Sequence, residues 1–324
     1  MGMKEAIKNF NKQFEYEPEI ENAERLRHFD KFIVVGLGGS HLAADLLKVW
    51  NPYLDVVVHE DYGLPAFSDK ELKERLVILS SYSGNTEEAL DAFNETIEKK
   101  LTCAVISTGG KLIELAKKHS RPYIAMPDTG IQPRLALGFG FKALLKLMGQ
   151  DKALQEIGEL AQSLKPADFE KAGRALAKRL KGFTPVVYSS SRNLPIARDW
   201  KINFNETGET PAFYNAFPEL NHNEMAGFGA TSKTKKLSAR FCFVLLQDET
   251  DRPRIKKRMA VFKQLYKKRN FIVEAVKLTG QDIFYKIFSS LVLADWAAYY
   301  LAQEYGVEAE QAPIVEEFKK LIVK

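Results

Sequence analysis

The chain is poor in the features that mark secreted, membrane and metal-binding proteins. It has two cysteines in 324 residues, Cys103 and Cys242. Each lies inside an apolar run, so the pair predicts neither a disulfide framework nor a metal site. No apolar run approaches the length of a membrane span, and the first residues lack the apolar core of a signal peptide. We therefore expect a cytoplasmic protein that contacts no membrane.

The charge pattern does not indicate a particular class of binding partner either. Lys and Arg total 47 against 42 Asp and Glu, an excess too small and too evenly spread to predict nucleic-acid binding. The one dense basic run, residues 252–258, follows a strand and opens a helix, which is typical of a solvated face. The five histidines are scattered without the spacing of metal ligands, so no metal is expected.

A loop rich in hydroxyl groups lies between a strand and a helix. Residues 76–79 form an apolar run, as expected of a central parallel strand. The loop after it holds Ser81, Ser83 and Thr86, and it contains no lysine, unlike the phosphate loop of nucleotide-binding enzymes. We expect Asn85 and Glu88 to form a capping box. The hydroxyl groups and the first N–H groups of the helix predict a site for a sugar phosphate. The alternative is a turn that only caps the helix.

Two other turns have the composition of ligand-binding loops. Gly38, Gly39 and Ser40 follow a strand at residues 32–36 and would bring backbone N–H groups against a ligand. His41 stands where the third glycine of a dinucleotide fingerprint belongs, so a nucleotide cofactor is only the alternative interpretation.

The strands and helices alternate at a spacing that predicts an α/β fold with doubly wound parallel sheets. We expect an N-terminal domain with a helical lead-in over residues 1–150, a helical linker over 151–182, and a C-terminal domain with a helical tail over 183–324. The second half resembles a diverged copy of the first. Ligands of such sheets lie beyond the carboxyl ends of the strands. The three turns at residues 38–40, 81–86 and 133–134 are therefore expected to converge.

Several of these segments resemble known sequences. Residues 38–40, 81–88 and 107–110 are similar to sugar isomerase (SIS) domains. The second half is more specific. The motifs Asn205-Glu206-Thr207 and Pro218-Glu219-x-x-His222-Asn223-Glu224 resemble the signature of bifunctional phosphoglucose/phosphomannose isomerases. The turn of Pro133 and Arg134 resembles the arginine loop of that family. The resemblance covers about residues 20–324 and implies two SIS-type domains.

This resemblance implies an aldose–ketose isomerase that needs no cofactor. Such an enzyme interconverts glucose 6-phosphate and fructose 6-phosphate through a cis-enediol, and in this family also mannose 6-phosphate. By position, Glu206 would move the proton between C2 and C1, and Arg134 would stabilise the enediolate. His222 would assist ring opening from the partner subunit of a homodimer, and Lys319 would be the ring-opening lysine of the tail. Ser81, Ser83 and Thr86 would hold the phosphate, and Gly38, Gly39 and Ser40 would lie along the sugar. Pro133 is a further residue expected to bind the substrate.

The chain departs from the family pattern at two places. Thr207-Gly208-Glu209 follows Glu206, so the lysine usual in that loop is missing. Ala312 stands at the tail position that is linked to accepting mannose 6-phosphate if Lys319 is the aligned lysine, although Lys320 is adjacent. Acceptance of mannose 6-phosphate therefore rests on the resemblance alone.

Two other functions fit a sugar-phosphate pocket. The first is a non-catalytic sugar-phosphate sensor, but the thirty residues before the first strand are too few for a helix-turn-helix domain. The second is the isomerase half of an amidotransferase, but the chain has no N-terminal cysteine nucleophile.

Overall fold

The computed structural model describes residues 1–229 and 231–322. The chain forms two compact units, the first made of Met1 and residues 8–164, the second of residues 2–7 and 165 onward. The division between the units falls inside the segment 151–182 that we expected to be a linker. The domain boundaries drawn from the sequence stay a prediction.

A five-stranded parallel sheet forms the centre of the first unit. Its strands pair in the order β2-β1-β3-β4-β5. Every residue of β3 and β4 is buried, because helices cover both faces of a parallel sheet. The strands are β1 (Lys31–Val35), β2 (Asp55–His59), β3 (Leu76–Ser80), β4 (Cys103–Ser107) and β5 (Tyr123–Ala125).

The helices come between these strands and after them, as the alternation in the sequence predicted. Three 3-10 turns accompany them, at Phe10–Glu15, Ala23–Arg25 and Pro133–Leu135. The α-helices, numbered along the chain, are α1 (Met3–Lys8, most of which belongs to the second unit), α2 (Gly39–Trp50), α3 (Asp69–Lys73), α4 (Glu87–Glu98), α5 (Gly110–Lys118), α6 (Leu137–Leu147), α7 (Asp151–Gly158) and α8 (Leu160–Ser163).

The second unit has a four-stranded parallel sheet with the order β7-β6-β8-β9. This order repeats β2-β1-β3-β4 of the first unit, as expected if the second half is a diverged copy. Sequence analysis did not predict β7, which lies at the edge of the sheet and is only partly buried. The strands are β6 (Thr184–Ser190), β7 (Phe213–Phe217), β8 (Phe241–Asp248) and β9 (Ile272–Leu278).

Helices cover this second sheet as well. The 23-residue helix α14 is the longest and is buried along most of its length. Among the described residues, no helix combines the length and apolar content needed to cross a membrane. The 3-10 turns are Pro166–Phe169, Ser191–Asn193 and Glu219–Asn221; the α-helices are α9 (Glu170–Leu180), α10 (Leu194–Glu206), α11 (Glu224–Gly227), α12 (Lys235–Ser238), α13 (Pro253–Lys268), α14 (Ile283–Tyr305) and α15 (Pro313–Ile322).

A buried ion pair lies at the carboxyl end of β8. Lys286 Nζ is 2.9 Å from Asp248 Oδ1, and the side chains of Thr250 and Asn193 donate hydrogen bonds to the same carboxylate at 2.8 and 3.2 Å. Burial pushes the pKa of Asp248 upward, but the hydrogen bonds from Lys286 and Thr250 outweigh it and hold the pKa below its usual range. The end of this strand is therefore occupied by the protein's own charges.

Candidate active site

The glycine turn after β1 favours glycine at two positions, at Gly38 because of its backbone angle and at Gly39 because of its neighbours. Gly38 has a φ of +55°, which favours glycine. A Cβ on Gly39 would lie 2.6 Å from the carbonyl carbon of Pro133 and 2.7 Å from the nitrogen of Arg134. The glycine turn therefore lies directly against the Pro133–Arg134 peptide, so two of the predicted segments meet.

Ser40 connects the glycine turn to the hydroxyl loop. Its Oγ accepts a hydrogen bond from the N–H of Tyr82 at 2.8 Å, and its carbonyl oxygen accepts one from the hydroxyl of Ser80 at 3.0 Å. Burial raises the pKa of the Tyr82 hydroxyl, and Asp128 adds to the shift. All three predicted segments are thus brought together at the carboxyl ends of β1 and β3, within the first unit.

The hydroxyl loop is held closed by its own side chains. The hydroxyls of Ser81 and Thr86 are 2.8 Å apart, and Ser81 Oγ also accepts a hydrogen bond from the N–H of Gly84 at 3.1 Å. Ser81 is fully buried, whereas Ser83 is exposed. Ser81 and Thr86 therefore shape the loop, and Ser83 presents a hydroxyl on its outer side.

The predicted capping box of Asn85 and Glu88 is wrong. Helix α4 begins at Glu87 after the N-cap residue Thr86, whose side chain makes no capping hydrogen bond. The Asn85 side chain is used elsewhere: it donates to the carbonyl of Ser83 at 3.1 Å and accepts from the N–H of Lys111 at 3.2 Å. The first N–H groups of α4 are therefore not capped by a side chain and can donate to an anion.

A further turn, residues 107–110, packs against the hydroxyl loop. Thr108 Oγ1 donates a hydrogen bond to the carbonyl of Tyr82 at 2.8 Å. Gly84 has a φ of +70°, and a Cβ there would lie 1.9 Å from the carbonyl oxygen of Gly109. This close approach fixes the height of the hydroxyl loop above the sheet.

Arg134 is buried in the 3-10 turn Pro133–Leu135. Gln13, also buried, fixes this turn: its amide donates to the carbonyl of Leu135 at 2.7 Å, and its oxygen accepts from the N–H of Gly138 at 3.0 Å. An arginine stays charged in any environment, so the first unit carries a fixed cation beside the glycine turn. Sequence analysis missed Gln13 because it is 122 residues away from Leu135.

Glu206, the predicted base, is the last residue of α10 and is partly buried. Two buried polar residues precede it on the same helix, Asp199 and Asn203, at a spacing that gives all three one face. Asn203 donates to Asp199 at 3.1 Å. Burial raises the pKa of Asp199 to about 8, and the charge of Glu206 adds to the shift. Sequence analysis missed this pair, although the four- and seven-residue spacing was visible.

His222 is exposed and follows the 3-10 turn Glu219–Asn221. The residues around it are anchored to the second sheet and to α13. Both Tyr188 of β6 and Asn215 of β7 donate hydrogen bonds to the carboxylate of Glu224. Arg258 of α13 donates to Asn221 Oδ1 at 3.1 Å.

The anchored residues lie on both sides of His222 in the sequence: Asn221 precedes it and Glu224 follows it. Burial, together with the hydrogen bond to Glu224, raises the pKa of the Tyr188 hydroxyl, which therefore remains a donor. Sequence analysis quoted Glu224 only as part of a motif. Its two donors are 36 and 9 residues away and gave no signal.

Lys319, the predicted tail lysine, lies on α15. It is exposed and forms an ion pair with Glu316 at 2.8 Å, which holds the pKa of that carboxyl below its usual range. None of the described residues of α15 is buried. In the second unit, Glu206, His222 and Lys319 therefore lie on three separate elements.

One group of side chains has the composition of a metal site. Ligand atoms of His41, Asp45 and Glu60 all lie within 4.8 Å of one another. The two ring nitrogens of His41 already face the carboxylates of Asp45 at 3.0 Å and Glu60 at 3.6 Å. A histidine between two carboxylates accounts for this arrangement without an ion. Histidine spacing alone could not show it, because Glu60 belongs to another loop.

Known proteins are similar to this chain in sequence and in fold. The family described as the bacterial phospho-glucose isomerase C-terminal SIS domain matches residues 169–322. The fold resembles glucosamine-6-phosphate deaminase from Thermotoga maritima with a TM-score of 0.61, at 16% identity and with 96% of each chain covered. At that identity the similarity concerns the fold, and it confirms two SIS-type α/β domains.

Two curated relatives match almost the whole chain. The bifunctional phosphoglucose/phosphomannose isomerase of Aquifex aeolicus is 32% identical over 98% of this chain and 97% of its own. The protein of the same name from Caldicellulosiruptor bescii is 35% identical over 91% and 90%. The chain therefore belongs to the bifunctional phosphoglucose/phosphomannose isomerase family.

Proposed function

We propose that this protein is an aldose–ketose isomerase that interconverts glucose 6-phosphate and fructose 6-phosphate through a cis-enediol. The observation that carries the proposal is the meeting of the glycine turn, the hydroxyl loop and the Pro133–Arg134 peptide within the first unit. A phosphate-binding loop beside a fixed guanidinium is what a sugar phosphate needs when negative charge develops on its carbonyl end. The full-length relatives are named as isomerases, which favours an enzyme over a non-catalytic sensor.

The phosphate would be bound without a lysine. The exposed hydroxyl of Ser83 and the uncapped N–H groups at the start of α4 supply neutral donors, and the helix dipole favours an anion there. Ser81 and Thr86 hold the loop in shape. Neutral donors suit a sugar monophosphate.

In this proposal Glu206 takes the proton from C2 of the open-chain aldose and returns it to C1. A hydroxyl proton moves in the same sense, from the oxygen on C2 to the oxygen on C1, so the step is balanced without a redox partner. Arg134 stabilises the enediolate, because its charge is fixed and buried. His222 and Lys319 assist ring opening.

The remaining features of the proposal come from the family. We propose a cytoplasmic homodimer in which His222 acts in the partner's site, which agrees with its exposed position in a firmly anchored segment. Mannose 6-phosphate is proposed as a second substrate because both relatives are named as bifunctional. Ala312 is the position to vary when this specificity is tested.

The decisive test is a coupled assay of fructose 6-phosphate formation by the wild type and by Glu206→Gln. We expect the variant to lose about 10³-fold in kcat, as removal of a general base does. Glu209→Gln, an exposed acid of the same loop, is the matched control and should keep wild-type activity. Undiminished turnover by Glu206→Gln would remove the assigned base, and a wild type that binds hexose phosphate without turnover would favour the sensor.

A further inference from the structure

A groove of about 280 Å³ lies between α13 and the segment that carries His222. Its polar wall comes from Arg254, Lys257 and Arg258, which are spaced three and four residues apart and so share one face of the helix. The other lining residues are Asn221, Met225, Val261 and Phe262.

No carboxylate in the part of the chain that the structure describes pairs with the three cations of this groove. Among the described residues, Arg254 and Lys257 form no ion pair, and both are exposed. Arg258 donates a hydrogen bond to the neutral side-chain amide of Asn221 at 3.1 Å. The nearby carboxylate of Glu224 is already engaged by Tyr188 and Asn215. Like charges at this helical spacing repel one another, and an anion in the groove would relieve the repulsion.

The shape and lining of the groove indicate the kind of anion. Its volume is that of a small-molecule site, not of a nucleic-acid surface, and its cations are confined to one helix. Guanidinium groups bind phosphate through paired hydrogen bonds, and a lysine adds a point charge. Met225 and Val261 offer an apolar surface for a carbon skeleton.

We propose that this groove is a second anion site, lined by none of the residues of the hydroxyl loop, that binds a small phosphorylated effector. The position of Arg258 suggests its effect. An anion that draws the Arg258 guanidinium away from Asn221 removes one of the contacts that anchor the His222 segment. The effector is therefore expected to lower kcat. This effect on kcat rests on the proposed role of His222, whereas binding of the effector does not.

Binding is tested by titrating inorganic pyrophosphate into three proteins in a calorimeter. These are the wild type, the double variant Arg254→Gln/Lys257→Gln, and the control Lys267→Gln/Lys268→Gln, which removes the same charge from exposed positions of α13 outside the groove. We expect at least a tenfold loss of affinity in the first variant alone, and weaker binding by the wild type at higher salt. Equal affinities in all three proteins, or no binding by the wild type, would overturn the site.

The effector role is tested separately, by kinetics at saturating fructose 6-phosphate. Competition at the substrate site disappears under this condition, so any remaining inhibition by pyrophosphate comes from elsewhere. We expect such inhibition in the wild type and in the Lys267/Lys268 control, and its loss in the Arg254/Lys257 variant. A wild-type kcat that pyrophosphate leaves unchanged refutes the effector role, and the calorimetry then decides the site by itself.

Discussion

Gly39 lies so close to Pro133 that a single added carbon would be 2.6 Å from the Pro133 carbonyl carbon. This contact joins two loops that are more than ninety residues apart in the sequence. It also places a backbone turn, with no side chain between, beside the peptide that leads into Arg134. The geometry of the candidate site therefore depends on residue 39 being a glycine, which has no Cβ.

Gly39→Ala should reduce isomerase activity at least tenfold and lower the melting temperature, because backbone atoms must move to admit the methyl group. Gly109→Ala is the matched control: an added Cβ there meets nothing within 4 Å. Activity assays and thermal unfolding of both variants check the prediction. Equal effects of the two substitutions would show that the contact at Gly39 is unimportant.

Tyr188→Phe should lower the free energy of unfolding by about 2 kcal/mol, because it removes a donor from the partly buried carboxylate of Glu224. It should also lower kcat if that carboxylate anchors the His222 segment. Tyr266→Phe is a matched control in the same core cluster, since the Tyr266 hydroxyl is buried without a hydrogen-bond partner in the described structure. Its removal should be neutral or stabilising.

Urea unfolding and steady-state kinetics separate these effects. The prediction fails if both phenylalanine variants lose the same stability. It also fails for the anchoring role if Tyr188→Phe loses stability and retains full kcat.

The free energy of unfolding should depend on pH because of Asp199. Its pKa is raised to about 8 by burial, whereas in the unfolded chain it is about 3.9. Between these values the folded state keeps a proton that the unfolded chain releases. The stabilisation is complete below pH 4 and is lost as the pH rises toward 8.

Relative to Asp199→Asn, the wild type should therefore lose about 1 kcal/mol of unfolding free energy per pH unit between pH 5 and 7. Urea denaturation at several pH values measures it. Asp168→Asn, an exposed carboxyl of the same unit, should follow the wild type throughout. A constant difference between wild type and Asp199→Asn would mean that Asp199 is ionised when folded.

Lys286→Met should destabilise the protein by about 3 kcal/mol, since it leaves the Asp248 carboxylate buried without its cation. Lys277→Met removes an exposed partner of Glu249 at 3.9 Å and should cost less than about 1 kcal/mol. Chemical denaturation of both variants compares them. Similar losses would show that the buried pair contributes no more than a surface pair.

Much of the fold was predictable because apolar runs mark buried parallel strands. Residues 76–79 and 103–107 are continuous apolar or small segments, and both are fully buried strands. The strand Phe213–Phe217 was missed because an edge strand is only partly buried and the run includes a polar asparagine. A strand that is buried on both faces can be recognised in a single sequence because it forms a continuous apolar run.

The convergence of the three loops was predictable for a topological reason, since parallel strands end at one edge of their sheet. The supporting contacts were not. Gln13 with Leu135, and Tyr188 with Glu224, join residues that are 122 and 36 positions apart. Asn85 had the right local pattern for a cap, but a tertiary contact with Lys111 uses its side chain instead. Local patterns cannot show which partner a polar side chain selects.

The repeated strand order gives the molecule two equivalent switch points, and they differ in charge. Beyond β3 lie the exposed hydroxyl of Ser83 and the uncapped N–H groups of α4. Beyond β8, the carboxylate of Asp248 lies at the corresponding place and pairs with Lys286. A phosphate approaching the second switch point would meet a negative group of the protein itself. Of these two strand ends in the described structure, we therefore expect only the first to accept a sugar phosphate, because the second is occupied by the ion pair of Asp248 and Lys286.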